Sequence, residues 1–190
     1  MPSALVLANR DDADAGLVGV ALDEHRYRLT LLAREDAEDG WPDDPASGAD
    51  LVLVLGSDWS VYADEVRAPV TRERDVLAAA VAREQPVLAI CFGAQLLATA
   101  LGGAAGPAGC TELGWREVVP VDSSIEPGPW FQFHSDTFTL PPEATLLAES
   151  DPEPVARAGL TAEELVSRTA QEQERARLAA HRLVTSFLRS

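Results

Sequence analysis

Two short, continuous apolar runs constrain the fold more than any other feature of the sequence. Residues 51–55 read Leu-Val-Leu-Val-Leu and end at Gly56, and residues 86–90 read Pro-Val-Leu-Ala-Ile and lead into a helical pattern over residues 94–101. A strand that is apolar at every position is typical of a parallel sheet whose two faces are covered by helices. The two runs therefore predict two buried strands of an α/β domain.

Strand and helix patterns alternate through the whole N-terminal half. Residues 4–8 and 27–32 predict further strands, and residues 14–26 and about 71–83 predict helices, with an acidic loop over residues 35–48. Such alternation favours right-handed connections between parallel strands. The sequence thus predicts an α/β fold with a mostly parallel central sheet flanked by helices.

The pattern changes after residue 102. Residues 114–121, 130–134 and 145–148 are short strand-like pieces between Gly and Pro turns, and residues 161–188 form a long helical stretch. Thr161 and Glu164 match a capping box at the start of that helix. We therefore expect one domain over residues 1–190, with a small β-rich appendage and a long C-terminal helix.

Charge and composition exclude several classes of function. Thirty-one acidic residues against fifteen basic ones give a formal net charge of −16, which repels nucleic acids and anionic membranes, so neither is predicted as a partner. All basic residues are arginine, which excludes a Walker or Schiff-base lysine. The apolar runs are too short to span a bilayer and the N-terminus lacks a targeting pattern, so a cytoplasmic protein is expected.

The cysteines and histidines do not indicate a metal site. The two cysteines, Cys91 and Cys110, and the three histidines form no CxxC pair and no cluster at metal-ligand spacing. Neither a metal nor another cofactor is predicted. Cys110 lies in a Gly-rich stretch that predicts a loop, where a chemical role is not expected.

Cys91 is the strongest candidate for a chemical role. It stands between a predicted buried strand and the start of a helix, with Gly93 two residues later. A side chain on such a turn projects from the top of the sheet, and the N–H groups of the first helical turn point towards an oxyanion. The positive end of the helix favours a thiolate. The alternative is that Cys91 is a small buried residue that ends a strand.

Residues 86–97, Pro-Val-Leu-Ala-Ile-Cys-Phe-Gly-Ala-Gln-Leu-Leu, resemble the nucleophile segment of class I glutamine amidotransferases, closest to the stand-alone GMP synthase-like branch. Residues 53–57 resemble the oxyanion strand and loop of that family. Residues 112–115 and 134–142 match later landmarks in the same order. The resemblance covers about residues 4–150 and resumes in the final helix, and it implies a flavodoxin-like sheet.

The resemblance implies a specific chemistry. A cysteine thiolate attacks the side-chain amide of glutamine, and a glutamyl thioester and ammonia result before water releases glutamate. Cys91 would be the nucleophile, and the N–H groups of Phe92 and Ser57 would hold the oxyanion. Gln95, with Gly56 and Gly93, would complete the substrate site. The family usually has glycine where Ser57 stands, which reduces the backbone freedom of this loop.

The family's catalytic base is hard to place in this sequence. It is a histidine followed two residues later by glutamate, and the nearest match is His134 with Asp136. In one alignment these two residues are the base and its orienting acid. In the other, residues 134–148 are the landmark that precedes the catalytic pair, and a segment carrying that pair is missing near residues 150/151. We favour the second, because residues 139–148 match the landmark throughout.

Two hypotheses follow. The leading one is an enzyme that hydrolyses the side-chain amide of glutamine, or a related γ-glutamyl amide, with water or a separate ammonia-accepting enzyme as the partner. The alternative is a catalytically inert homologue that binds a small glutamine-like molecule or regulates a partner. The second hypothesis rests on the missing His/Glu pair, since a thiol nucleophile needs a base.

Overall fold

The computed structural model describes residues 1–122, 125–150 and 161–190. The helices and strands, in chain order, are β1 (Ser3–Ala8), α1 (Gly16–Glu24), β2 (Arg28–Ala33), β3 (Leu51–Val54), α2 (Arg67–Ala82), β4 (Val87–Ala89), α3 (Phe92–Ala100), β5 (Ala105–Pro120), β6 (Gly128–Phe138), β7 (Ala148–Ser150) and α4 (Ala162–Phe187). Among these described residues, no helix is long and apolar enough to cross a membrane.

The central sheet is parallel, as the alternating pattern predicts. Within the described residues it has four strands in the order β2-β1-β3-β4, with Ala4 opposite Leu51 and Val54 opposite Ala89. The strand β3 is buried at every position, whereas β4 is only half-buried. The expectation of a second fully buried strand was wrong for β4, because β4 pairs only with β3 in the described sheet.

Alternate residues of the central strands face two apolar layers. Leu7 and Val54 point to one layer, which holds α2 and α3 with residues such as Leu77 and Phe92. Leu53 points to the other, where its neighbours include Leu22 of α1 and Val184 of α4. This alternation follows from the two-residue period of a strand. The helices therefore cover both faces of the sheet and leave its carboxyl edge open for a site.

The β-rich appendage predicted after residue 102 is a second, antiparallel sheet. Within the described residues its order is β6-β5-β7, and the β5–β6 register is irregular between Pro107 and Glu112. Strand β5 starts nine residues before the predicted position, so Cys110 lies in a strand and the predicted loop was wrong. Pairing of residues 105–107 with β6 accounts for the early start of the strand, since ladder hydrogen bonds do not need strand-favouring side chains.

Among the other elements, one strand and one helix begin away from their predicted positions, whereas a predicted helix cap is confirmed. The strand expected at residues 145–148 lies at Ala148–Ser150. Helix α2 begins four residues early, with Pro69 in its first turn, where a missing N–H has no cost. The capping box of α4 is confirmed, because Glu164 N–H donates to Thr161 and Thr161 N–H donates to Glu164.

The segment expected to be missing near residues 150/151 would lie between β7 and α4. Residues 151–160 lie outside the described residues. The domain boundaries and the missing segment therefore stay predictions.

Candidate functional site

The carboxyl edge of the parallel sheet carries a cavity of about 370 Å³. Strand β3 leads into Gly56 and strand β4 leads to Cys91, so parallel neighbours bring the two loops together. Most of the site residues predicted from the sequence line this cavity: Gly56, Ser57, Cys91, Phe92, Gln95, His134 and Asp136. Gly93 lies beneath it and packs on Val54.

Cys91 has a strained backbone at the start of α3. Its φ of 54° and ψ of −116° lie outside the helical and strand regions, and a residue with a Cβ pays about 1–3 kcal/mol for such a conformation. Gly93 N–H donates to Ile90 O at 2.9 Å and closes the turn. A Cβ on Gly93 would lie 2.6 Å from Val54 O, so this turn requires glycine. Strain of this kind concentrates at functional sites.

The Cys91 thiol is half-buried and faces the hairpin of β5 and β6. Its Sγ donates to Phe133 O at 3.8 Å. Burial raises the pKa of the Cys91 thiol, the Phe92 N–H partly lowers it, and the negative charge of Asp136 raises it further. The helix N-terminus alone predicts a thiolate, but here burial outweighs that effect and the thiol is favoured.

His134 is held by two acceptor oxygens. Its Nε2 lies 3.2 Å from Glu112 Oε2, and its Nδ1 lies 3.1 Å from the backbone oxygen of Asp136. Glu112 is its cross-strand partner in the β5–β6 ladder. Within the described part of the chain, no hydrogen bond joins His134 to Cys91. In this arrangement both ring nitrogens contact oxygen atoms of the β5–β6 hairpin and not the thiol.

The Asp136 carboxylate binds the loop after β3. It accepts hydrogen bonds from Ser60 Oγ at 2.7 Å and Tyr62 OH at 2.8 Å, and this contact raises the pKa of Tyr62. The backbone oxygen of Asp136, not its carboxylate, contacts His134 and also accepts from Gln95 Nε2 at 3.4 Å. Asp136 thus links the β5–β6 hairpin to the loop after β3 and adds negative charge beside Cys91.

The other two histidines lie at the opposite edge of the sheet. His25 directly follows α1, close to the start of β2, and its Nε2 lies 2.8 Å from Thr185 Oγ1. The rings of His25 and His181 stack with centroids 5.5 Å apart, and His181 Nε2 lies 3.3 Å from Glu24 Oε2. This cluster joins α1 to α4.

Sequence reasoning missed a buried cluster directly below the cavity. Arg34, at the end of β2, pairs with Glu73 of α2 at 2.6 Å, and both side chains are 0% exposed. Asn9, after β1, accepts from Arg34 at 2.6 Å. The available signal was weak: Arg34 follows an apolar strand directly, at the edge where the functional loops of parallel sheets gather.

Comparison with known proteins supports the fold. The Peptidase C26 family model matches residues 62–107, which include Cys91 and its turn. A search of curated proteins by sequence gives no significant match. A glutamine amidotransferase from Thermotoga maritima superposes with a TM-score of 0.83 at 20% identity, over 100% of this chain and 99% of that chain.

Two further solved structures agree. A glutamine amidotransferase from Methylobacillus flagellatus gives a TM-score of 0.83 at 18% identity, over 99% of this chain and 94% of that chain. PurLQS from Thermotoga maritima gives a TM-score of 0.65 at 14% identity, over 99% of this chain and 98% of that chain. The resemblance drawn from residues 86–97 is therefore confirmed at the level of architecture: this chain has the fold of the glutamine amidotransferases.

Proposed function

We propose that the protein hydrolyses the side-chain amide of glutamine, or a related γ-glutamyl amide, through a thioester on Cys91. The observation that carries this proposal is the strained turn at Cys91, with its φ of 54°, on the rim of a cavity that also contains Gly56, Ser57 and Gln95. A strained non-glycine residue persists where its geometry is used. The glutamine amidotransferase fold and the Peptidase C26 match around this turn point to the same chemistry.

The proposed reaction has two halves. The Cys91 thiol loses its proton, its sulfur attacks the amide carbonyl, and the C–N bond breaks as ammonia or an amine leaves with a proton. Water then attacks the thioester, the C–S bond breaks, and a carboxylic acid and the free thiol remain. The N–H groups of Phe92 and Ser57 are the donors proposed for the oxyanion in both halves.

The surroundings of Cys91 oppose the loss of its proton. Burial and Asp136 raise the pKa of the thiol, and both nitrogens of His134 face acceptor oxygens. These contacts favour a second candidate function, a catalytically inert homologue that binds a glutamine-like molecule in the same cavity. The loss of a His/Glu segment that the sequence predicts near residues 150/151 would also favour this second candidate.

Covalent labelling tests the first candidate. The protein is incubated near neutral pH with 6-diazo-5-oxo-L-norleucine, a glutamine analogue that alkylates nucleophilic cysteines, and adducts are mapped by peptide mass spectrometry. We expect one adduct on Cys91 and retention of labelling in Cys110→Ala, since Cys110 lies in β5 and not in the cavity lining. A protein that stays unlabelled at Cys91, while a known amidotransferase is labelled in parallel, contradicts the proposal.

Glutamate release separates the two candidates. Glutamine and a panel of γ-glutamyl amides are incubated with the protein and with Cys91→Ala. Turnover that disappears in Cys91→Ala eliminates the inert homologue, whereas saturable glutamine binding by calorimetry without turnover supports it. If ammonia is the product, we propose that its acceptor is water or a separate enzyme, as suggested by the structural likeness to PurLQS.

A further inference from the structure

The guanidinium of Arg34 uses all of its donors inside the protein. Its Nε and Nη2 donate to the two oxygens of Glu73 at 2.6 and 3.0 Å, and its Nη1 donates to Asn9 Oδ1 at 2.6 Å. Nη2 also reaches Leu7 O at 3.4 Å and Leu55 O at 3.3 Å. Arg34 thus joins the carboxyl ends of β1 and β3 to helix α2.

One further contact connects Arg34 to the proposed oxyanion loop. Its Nη1 donates to Gly56 O at 3.4 Å. None of the described peptide bonds is cis, and the C=O and N–H of a planar trans peptide point in opposite directions. Because the Gly56 oxygen points to the buried guanidinium, the Ser57 N–H points away from it. Ser57 and Cys91 both line the cavity.

A second contact connects Arg34 to the nucleophile turn. The guanidinium carbon lies 4.5 Å from the centroid of the Phe92 ring, within the range of a cation–π interaction. Phe92 is 1% exposed, so its ring has a fixed position below the cavity. Its N–H already contacts the Cys91 thiol, whose pKa it lowers. One buried cation therefore contacts Phe92 and the carbonyl of the Gly56–Ser57 peptide, the two places in the chain that supply the proposed oxyanion donors.

We propose that Arg34 is a positioning residue that holds the Ser57 and Phe92 N–H groups towards the same point in the cavity. This role rests on the proposed function of Cys91, although the orientation of the Gly56–Ser57 peptide does not depend on catalysis. Glu73 and Asn9 support the role by orienting the guanidinium. Without Arg34, the Gly56 oxygen loses its inward donor, and the peptide is free to turn that oxygen towards the cavity.

The test uses two variants of the full chain. In Arg34→Met with Glu73→Met, the buried ion pair is replaced by apolar side chains, a change that cores often tolerate. Arg34→Lys keeps the charge but lacks the fork that reaches Glu73, Asn9 and Gly56 together. The matched control is Arg72→Met, on the same helix as Glu73, because the hydrogen bonds of Arg72 within the described residues go to the backbone oxygens of residues 42 and 43.

Two reagents separate positioning from a merely structural role. Release of p-nitroaniline from γ-glutamyl-p-nitroanilide passes through an oxyanion, whereas alkylation of Cys91 by iodoacetamide does not. We expect both Arg34 variants to lose about 10- to 100-fold in p-nitroaniline release, part of the 10²- to 10³-fold that a lost oxyanion donor costs, with little change in alkylation. Equal losses in both reactions, or none in the first, overturn the proposal.

A structural readout keeps the inference independent of the proposed function. Crystal structures of the unmodified protein and of the two variants show the direction of the Gly56 C=O. A reversed or mixed Gly56–Ser57 peptide in the variants supports the role of Arg34, and an unchanged peptide overturns it. If the unmodified protein shows no Cys91-dependent release of p-nitroaniline, the proposed function fails, and the peptide direction alone decides the inference.

Discussion

Replacing Cys91 with glycine should give a more stable protein than replacing it with alanine. Both variants lack the thiol, and they differ only in the presence of a Cβ. Cys91 has a φ of 54° and a ψ of −116°, a conformation that glycine adopts without steric cost. The difference between the two variants therefore measures the backbone strain stored in the nucleophile turn.

The expected difference follows from three terms. Relief of the strained backbone favours glycine by about 1–3 kcal/mol. The greater freedom of glycine in the unfolded chain opposes this by about 0.5–1 kcal/mol, and loss of a half-buried methyl group opposes it by about 0.4 kcal/mol. The middle of these ranges leaves glycine ahead by roughly 1 kcal/mol, or about 2–4 °C in Tm for a chain of this size.

Urea denaturation followed by circular dichroism gives the free energy of unfolding of each variant, and equal m values confirm that the comparison is valid. The control is Ala79→Gly at an exposed helical position of α2, which should cost about 1 kcal/mol. Cys91→Gly that is less stable than Cys91→Ala by as much as this control would show that the turn carries no strain and would refute the reasoning.

Three other changes test separate parts of the structure. Gly93→Ala should lower the urea midpoint by an amount equivalent to about 1–3 kcal/mol, because its Cβ would lie 2.6 Å from Val54 O. The control Gly106→Ala should change little, because its Cβ would have no atom within 4 Å. Equal midpoints for the two variants would contradict this. Asp136→Asn should lower the pKa of Cys91, which burial and then the Asp136 charge raise, so the pH profile of iodoacetamide alkylation should move to lower pH; a profile that stays in place would count against the assigned charge effect. Asp50→Asn should flatten the acid side of the stability curve, because hydrogen bonds from Ser3 lower the pKa of Asp50 in the folded chain. The stability that Asp50 contributes is present above its unfolded pKa and disappears as the pH falls through the folded pKa. Urea midpoints across this pH range test this, with exposed Asp39→Asn as the control, and the same loss in both variants would contradict it.

Local patterns predicted most of the parallel half of the fold. The apolar run at residues 51–55 became the buried centre of the sheet, and the capping box at Thr161 starts α4 as expected. Both features depend on residues within a few positions of one another. The predictions were weaker for β5, where backbone pairing extends the strand through a Gly-rich stretch that has no strand pattern of its own.

The position of Cys91 on a strand-to-helix turn was determined by the sequence, because a buried strand, a cysteine and a glycine two residues later are contiguous. Its chemical state was decided by tertiary structure, because the groups that surround the thiol come from distant parts of the chain. Phe133, whose oxygen accepts from Sγ, is 42 residues away, and Arg34 lies 22 residues before Gly56. Burial and long-range charge act through space, and no local pattern records which side chains the fold brings together.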